Sequence, residues 1–317
     1  MSSSPAESLF DKSPFFELRF TTHGGRSLFA IRDIEPGTRI HSTGGPFAHV
    51  IYKDYRKEVC AQCFAYSASD DAPPTVGACR TWSIKWSRPG ATTAWFCSEV
   101  CRDSWERDET AALLKGVDAL LTKGQTATRK RFKSPEEEVK VKAISLSCER
   151  SGDSTITQEA VNGTWERVEA LVTCRAYLAL CYSTLHLEDT ELEIARSLAG
   201  AIVHRYCDDH FPSSDSTSKT RQNRSENWGQ FVNLQTSELC NIRTRPYILD
   251  AYLRIYVFLL GALPKHLQKY TYTIREVLAR GTGNAFGIWD GDRRDEMMGW
   301  GIWISASYFN HSALIII

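Results

Sequence analysis

In Phe16-Glu17-Leu18-Arg19-Phe20, apolar and charged side chains alternate. A period of two places Phe16, Leu18 and Phe20 on one face of a strand. His23-Gly24-Gly25 then predicts a turn, and residues 27–31 a second short strand. Pro36-Gly37 predicts another turn and residues 38–41 a third strand, so the stretch 15–50 reads as a β-meander.

Between 107 and 275 the apolar period lengthens to that of a helix. Val161, Trp165, Val168 and Val172 share one helical face, as do Leu249, Tyr252, Leu253, Tyr256 and Leu260. The second helix opens at Pro246 and closes around Gly261 and Pro264. Residues 212–227, rich in Ser, Asp, Lys and Arg, read as an exposed loop. Lys123, Arg129, Lys130, Arg131 and Lys133 make 123–133 a basic stretch, read as a solvated linker. Residues 276–317 return to short strands and turns, with Gly281, Gly283 and Gly287, then Met298-Gly299-Trp300-Gly301. No internal repeat is visible. Strands at both ends and helices between them predict the α+β class.

The 317 residues carry 38 Lys plus Arg against 38 Asp plus Glu, so the chain is formally neutral. It has no strong overall field to draw it onto nucleic acid or an anionic membrane, and direct nucleic-acid binding is not expected. No uncharged apolar stretch approaches the ~18 residues of a membrane span. Residues 1–13 are polar, without the apolar core of a secretory signal, so an intracellular location in nucleus or cytoplasm is expected. The sequons at Asn162, Asn223 and Asn310 then mean little. Ten cysteines in an intracellular chain read as buried thiols or metal ligands rather than disulfides.

Cys60-x2-Cys63 and Cys97-x3-Cys101 are the sharpest local signal. A C-x2-C knuckle turns two thiolates toward one metal, and a second pair, with one cysteine entering a helix, completes a tetrahedron. Ser98 suits the cap of that helix. Thiolate ligands favour zinc, so one structural Zn2+ is expected in a segment (57–106) too poor in aliphatic residues to build its own core. Cys79 has no partner at ligand spacing. Cys148, Cys174, Cys181 and Cys240 read as core thiols. His204, Cys207 and His210 lack a convincing fourth ligand and read as ordinary side chains.

Gly281-Thr282-Gly283-Asn284-Ala285-Phe286-Gly287 superficially looks like a phosphate loop, but no Lys-Ser/Thr follows. Three other pieces, taken together, carry more. Gly25-Arg26-Ser27-Leu28-Phe29-Ala30 with Pro36-Gly37 resembles the opening of a SET domain. Asn284-Ala285-Phe286-Gly287-Ile288 resembles the N-x-F motif of the SET-and-MYND branch. Tyr308-Phe309-Asn310-His311-Ser312 resembles the start of its N-H-S-C-x-P-N motif. The cysteine quartet lies where that branch inserts its MYND zinc module. The chain is therefore identified as resembling fungal-type SET-domain lysine methyltransferases over essentially its whole length.

The resemblance implies a split SET β-fold with an inserted zinc module and a mostly helical insertion. The units would be the N-terminal SET part at 15–56, the zinc module at 57–106, the helical insert at 107–275 and the C-terminal SET part at 276–317. It implies S-adenosylmethionine as cofactor and, as substrate, a protein or peptide bearing lysine, a histone being one candidate. By resemblance, the backbone at Arg26, Ser27 and Leu28 lines the cofactor, while Asn284 and the Asn310-His311 pair hold its polar groups. Cys60, Cys63, Cys97 and Cys101 hold the zinc. The departures are specific. Ser27 replaces a glycine, Ala313 replaces the cysteine of N-H-S-C, and only one MYND zinc site has its ligands. The distal G-E-E-L-x-x-x-Y segment with its active-site tyrosine has no counterpart, nor do the post-SET cysteines. The expectation is a C-terminally truncated chain with no assignable catalytic residue and with 300–309 poorly covered. The competing expectation is a non-catalytic zinc-containing scaffold that binds a partner protein.

Overall fold

A computed structural model describes residues 13–21, 25–67, 81–87, 92–131, 156–210, 228–290 and 296–309. Strands β1 (Phe16–Thr21) and β2 (Gly25–Ala30) form an antiparallel hairpin, with Phe16 opposite Ala30 and Thr21 opposite Gly25. The reversal between them falls outside the described residues. Burial grades along the predicted apolar face: Phe16 is buried, whereas Phe20 is 79% exposed.

The expected meander stops there. After Gly37, whose φ is +80°, the Thr38 N–H donates to the Glu35 carbonyl at 3.1 Å. Residues 38–41 form no strand, because Arg39 and Ile40 are exposed and offer no apolar face to bury. The next strand is β3 (Ala48–Ile51), which alternates buried and half-buried positions. It pairs not with the hairpin but with β7 (Met297–Ile302), whose other edge takes β6 (Ala285–Trp289); the order is β3-β7-β6, all antiparallel. A piece of the N-terminal region thus completes a sheet built from the C-terminal region. A third pair, β4 (Ile84–Trp86) with β5 (Ala94–Phe96), leads into helix α1 (Glu99–Glu106).

Helices follow as α2 (Glu109–Arg131), α3 (Gln158–Val172), α4 (Arg175–Thr184) and α5 (Asp189–His210). Then come α6 (Trp228–Phe231), α7 (Glu238–Thr244), α8 (Tyr247–Ala262), α9 (Lys265–Gln268) and α10 (Thr273–Asn284). In α3 the Thr157 hydroxyl caps the Ala160 N–H at 3.2 Å, and Val161, Trp165, Val168 and Val172 are buried as their spacing requires. Helix α8 begins after Pro246 and ends before Pro264, as read from the sequence. Helix α5 is the centre of the molecule. It packs against β3, α2, α8 and α10, and its run Leu198, Ala199, Ala201, Ile202, Val203 is buried. Small residues in that run let four elements approach one helix.

Several expectations change. Residues 123–131 continue α2 rather than forming a linker. Gly281 and Gly283 lie in the last turn of α10, not in a loop, because Ile274, Val277 and Leu278 bury that helix firmly enough to carry two glycines. Cys181 is buried, but Cys174 and Cys240 are exposed; Cys79, Cys148 and 212–227 lie outside the described residues. The stretch 300–309 is well covered, with Ile302 and Ile304 inaccessible and Tyr308 buried against the main core. Among the described residues no helix is long and apolar enough to cross a membrane.

Candidate functional site

The four cysteines converge. Their sulfurs all lie within 4.8 Å of one another, with Cys97 at 3.6 Å from Cys63 and 3.5 Å from Cys101. A zinc ion bonded to four sulfurs at about 2.3 Å needs them roughly 3.8 Å apart, so the donor set fits that ion. Local structure prepares it. The Phe64 N–H donates to the Cys60 carbonyl at 3.0 Å while Phe64 itself takes φ +61°, folding the C-x2-C segment back on itself. Burial opposes a Cys60 thiolate, but the backbone N–H groups of Cys63, Cys97 and Gln62 outweigh it and hold that thiol below its usual range. Ser98 caps α1 through the Cys101 N–H at 3.2 Å, as its position suggested. Behind the sulfurs, Trp105 packs edge-on to Trp86 at 5.0 Å and against Phe96 at 5.5 Å. This small core shares no buried residue with the main one.

Phe64 ties the knuckle to the β3-β7-β6 sheet. Its ring stands edge-on to His49 at 5.2 Å and to Trp303 at 5.8 Å, and Trp303 meets Phe286 of β6 at 6.2 Å.

A cleft of about 440 Å³ opens on the far side of Phe286. The predicted residues Arg26 and Asn284 line it, with Phe20, the segment 233–237, Ser307, Tyr308 and Phe309. Phe20 and Arg26 are cross-strand partners in the hairpin, so they share a face. The Arg26 guanidinium lies over the Tyr308 ring at 5.6 Å and donates to the Asn233 carbonyl. Pieces of chain more than 200 residues apart therefore meet here. Ser27 is buried and Leu28 packs against the main core, so neither side chain lines the cleft. Asn310 and His311 lie outside the described residues; Tyr308 and Phe309, just before them, form one wall.

Sequence reasoning missed the wall at 232–237. Its four carbonyls from Val232 to Gln235 are taken by side chains from two other elements. Arg280 donates to Val232 at 2.8 Å and Leu234 at 3.1 Å, Arg26 to Asn233, and Asn284 to Gln235 at 3.0 Å. Asn284 also donates to the Arg280 carbonyl of its own helix at 2.8 Å, so one amide proton holds the wall and the other the helix, while the side-chain oxygen accepts no hydrogen bond among the described residues. Ser307 Oγ donates to the Asn284 carbonyl at 3.1 Å and joins the fourth piece. The only hint in sequence was a short polar run, Asn233 with Gln235-Thr236-Ser237, between two helices. The cleft thus combines amide and hydroxyl groups, a guanidinium and four aromatic rings, a mixture suited to a mid-sized polar ligand with a flat apolar part.

A larger cleft of about 540 Å³, between Tyr52, Thr122 and Asp189, contains none of the predicted residues. His204, Cys207 and His210 do not gather: Cys207 is buried in the main core, and His210 stacks on Tyr206 at 4.1 Å.

No protein-family model matches the chain. Over 315 residues it is 26% identical to a Saccharomyces cerevisiae protein described as "Potential protein lysine methyltransferase SET6". The match spans 95% of this chain and 79% of the yeast protein.

Proposed function

We propose that this chain is a SET-type, S-adenosylmethionine-dependent protein-lysine N-methyltransferase carrying one structural zinc in a MYND-type module. The observation that carries the reading is the single cleft shared by Arg26, Asn284 and Tyr308-Phe309, the three sequence pieces that resemble the family. The similarity to the yeast protein supports it independently.

In this reading the cofactor supplies an electrophilic methyl on a sulfonium, and the chain positions it. Arg26 keeps donors beyond its bond to Asn233, and a guanidinium suits a carboxylate. The free oxygen of Asn284 and the hydroxyls of Thr236 and Ser237 suit a sugar or an amine. Asn310 and His311 would complete the polar set. The lysine must lose its proton before it attacks. Against an ordinary amine of pKa ~10.4 that costs about 4.6 kcal/mol at pH 7. Aromatic walls such as Phe286, Tyr308 and Phe309 exclude water and lower that cost. The rest is alignment of amine and methyl in one cleft.

Calorimetric titration of the folded chain with S-adenosylmethionine tests the reading. One equivalent should bind, and Arg26→Ala should weaken binding at least tenfold. Methyl transfer from labelled cofactor to lysine-bearing protein should follow. A folded chain that takes up no cofactor would overturn the assignment and favour a protein-binding scaffold.

A further inference from the structure

Behind the cysteine module lies a third, smaller cavity of about 100 Å³, lined by β3, β5, α1, α2 and α5. Its charged lining is unusual for a buried site: Arg56, Lys115 and Arg196 against Asp118. Asp118 is already committed, whereas Glu193 keeps a buried Oε2 with no hydrogen-bond partner among the described residues. Asp118 Oδ1 takes Arg196 Nε at 2.7 Å, and its Oδ2 takes Arg56 Nη1 at 3.1 Å and Thr92 Oγ1 at 2.6 Å. Glu193 takes Arg196 Nη1 at 2.6 Å. Two carboxylates therefore serve two arginines. The Lys115 amine, the third cation, makes no hydrogen bond or close ion pair among the described residues and feels only the longer-range attraction of Asp118. Arg56 Nη2 also keeps unspent donors, since its contact to Glu193 is 3.8 Å long.

We infer that this cavity binds a small oxyanion, phosphate or a carboxylate, held by Lys115 and the free edge of Arg56. The site has two features such a ligand needs: a cavity roomy enough for more than one water, and three cationic side chains, Arg56, Lys115 and Arg196, against two carboxylates, Asp118 and Glu193. His49, also in the lining, is held neutral by burial, its pKa pushed down to about 3 with help from His204 and Lys115, so the cationic groups facing the cavity are Arg56, Lys115 and Arg196. Burial likewise pushes the Lys115 amine down to about 8, the cost that an anion would remove. The cavity is lined by Ala61, Thr93, Ala94 and Trp95 of the zinc module on one side and by α2 and α5 on the other. An anion there would cement the module to the rest of the chain. This inference is independent of the methyltransferase reading.

The test is thermal unfolding of the full chain at fixed ionic strength, with sodium phosphate, sodium acetate or sodium chloride. Phosphate or acetate should raise the midpoint by several degrees, saturably, beyond chloride. Lys115→Met should abolish that increment, and Lys123→Met, on an exposed part of the same helix, should keep it. Whichever of the two oxyanions acts reports whether the site prefers a tetrahedral or a planar group. An equal increment in the wild type and Lys115→Met would overturn the inference. Should Lys115→Met fail to fold, reductive methylation of the wild type, read by peptide mass spectrometry, decides. Phosphate or acetate should slow modification at Lys115 at least fivefold and leave Lys123 unchanged, and an unprotected Lys115 would sink the site.

Discussion

Gly299 sits where β7 crosses β3, and a Cβ there would drive into the Val50 carbonyl of the neighbouring strand. Backbone cannot yield as a side-chain tip can. Gly299→Ala should therefore destabilise the chain by about 1–3 kcal/mol, read from the midpoint of urea unfolding. Asn284 acts differently, by donating both amide protons to main-chain carbonyls. In Asn284→Asp those donors are gone and a negative charge faces two carbonyl oxygens. An unsatisfied buried acceptor costs about 1–3 kcal/mol. The variant should lose roughly that stability and bind S-adenosylmethionine more weakly by calorimetry. Both residues lie in stretches that the sequence singled out, Asn284-Ala285-Phe286 and Met298-Gly299-Trp300-Gly301, though neither role was legible there. Spacing shows that a glycine or an asparagine is present, not which carbonyl lies opposite it.

Among the elements, the zinc module was the most legible. Its ligands are local pairs, and a two-residue spacing limits the geometry before any fold exists. Its core is only a few side chains around Trp105, so a zinc ion held by the four cysteines would carry much of its order. Chelation, or Cys97→Ser, should release Trp86 and Trp105 to solvent, seen as a red shift in tryptophan emission. It should also open 57–106 to proteolysis while the far-ultraviolet helical signal of α3, α5 and α8 persists. Because Phe64 braces Trp303 and through it Phe286, the same treatment should weaken cofactor binding. Helices α3 and α8 were equally readable, each having one apolar stripe and clear end signals. The strands were not. Residues 38–41 look like a strand but have no edge to join, whereas Ala48-His49-Val50-Ile51 found one some 250 residues away on β7.

Across the whole molecule, charges gather where the zinc module, the sheet and the helices meet. Burial alone would push the Asp118 carboxyl up, but the Arg56 and Arg196 guanidiniums hold it below its usual range. Asp118→Asn strands two buried cations and should cost about 3–5 kcal/mol in urea unfolding. His49 sets the acid limb. Its folded pKa, about 3, lies below the ~6.5 of an unfolded histidine. Between those values the unfolded chain holds the extra proton, so stability is full above pH ~6.5 and falls as pH drops. The slope is about 1.4 kcal/mol per pH unit. In His49→Gln that part of the slope should vanish, which separates it from acid release of zinc by the cysteines. The sequence by itself determined the helical stripes, the first hairpin and the two cysteine pairs of the quartet, because each depends on neighbours within a few turns of chain. Only the tertiary structure decided that β3 belongs to the C-terminal sheet, that 232–237 walls the cleft, and that Lys115 shares the charge of Asp118 with two arginines. Those outcomes depend on burial and on which distant donors find acceptors, quantities that exist only once the remote segments have packed together.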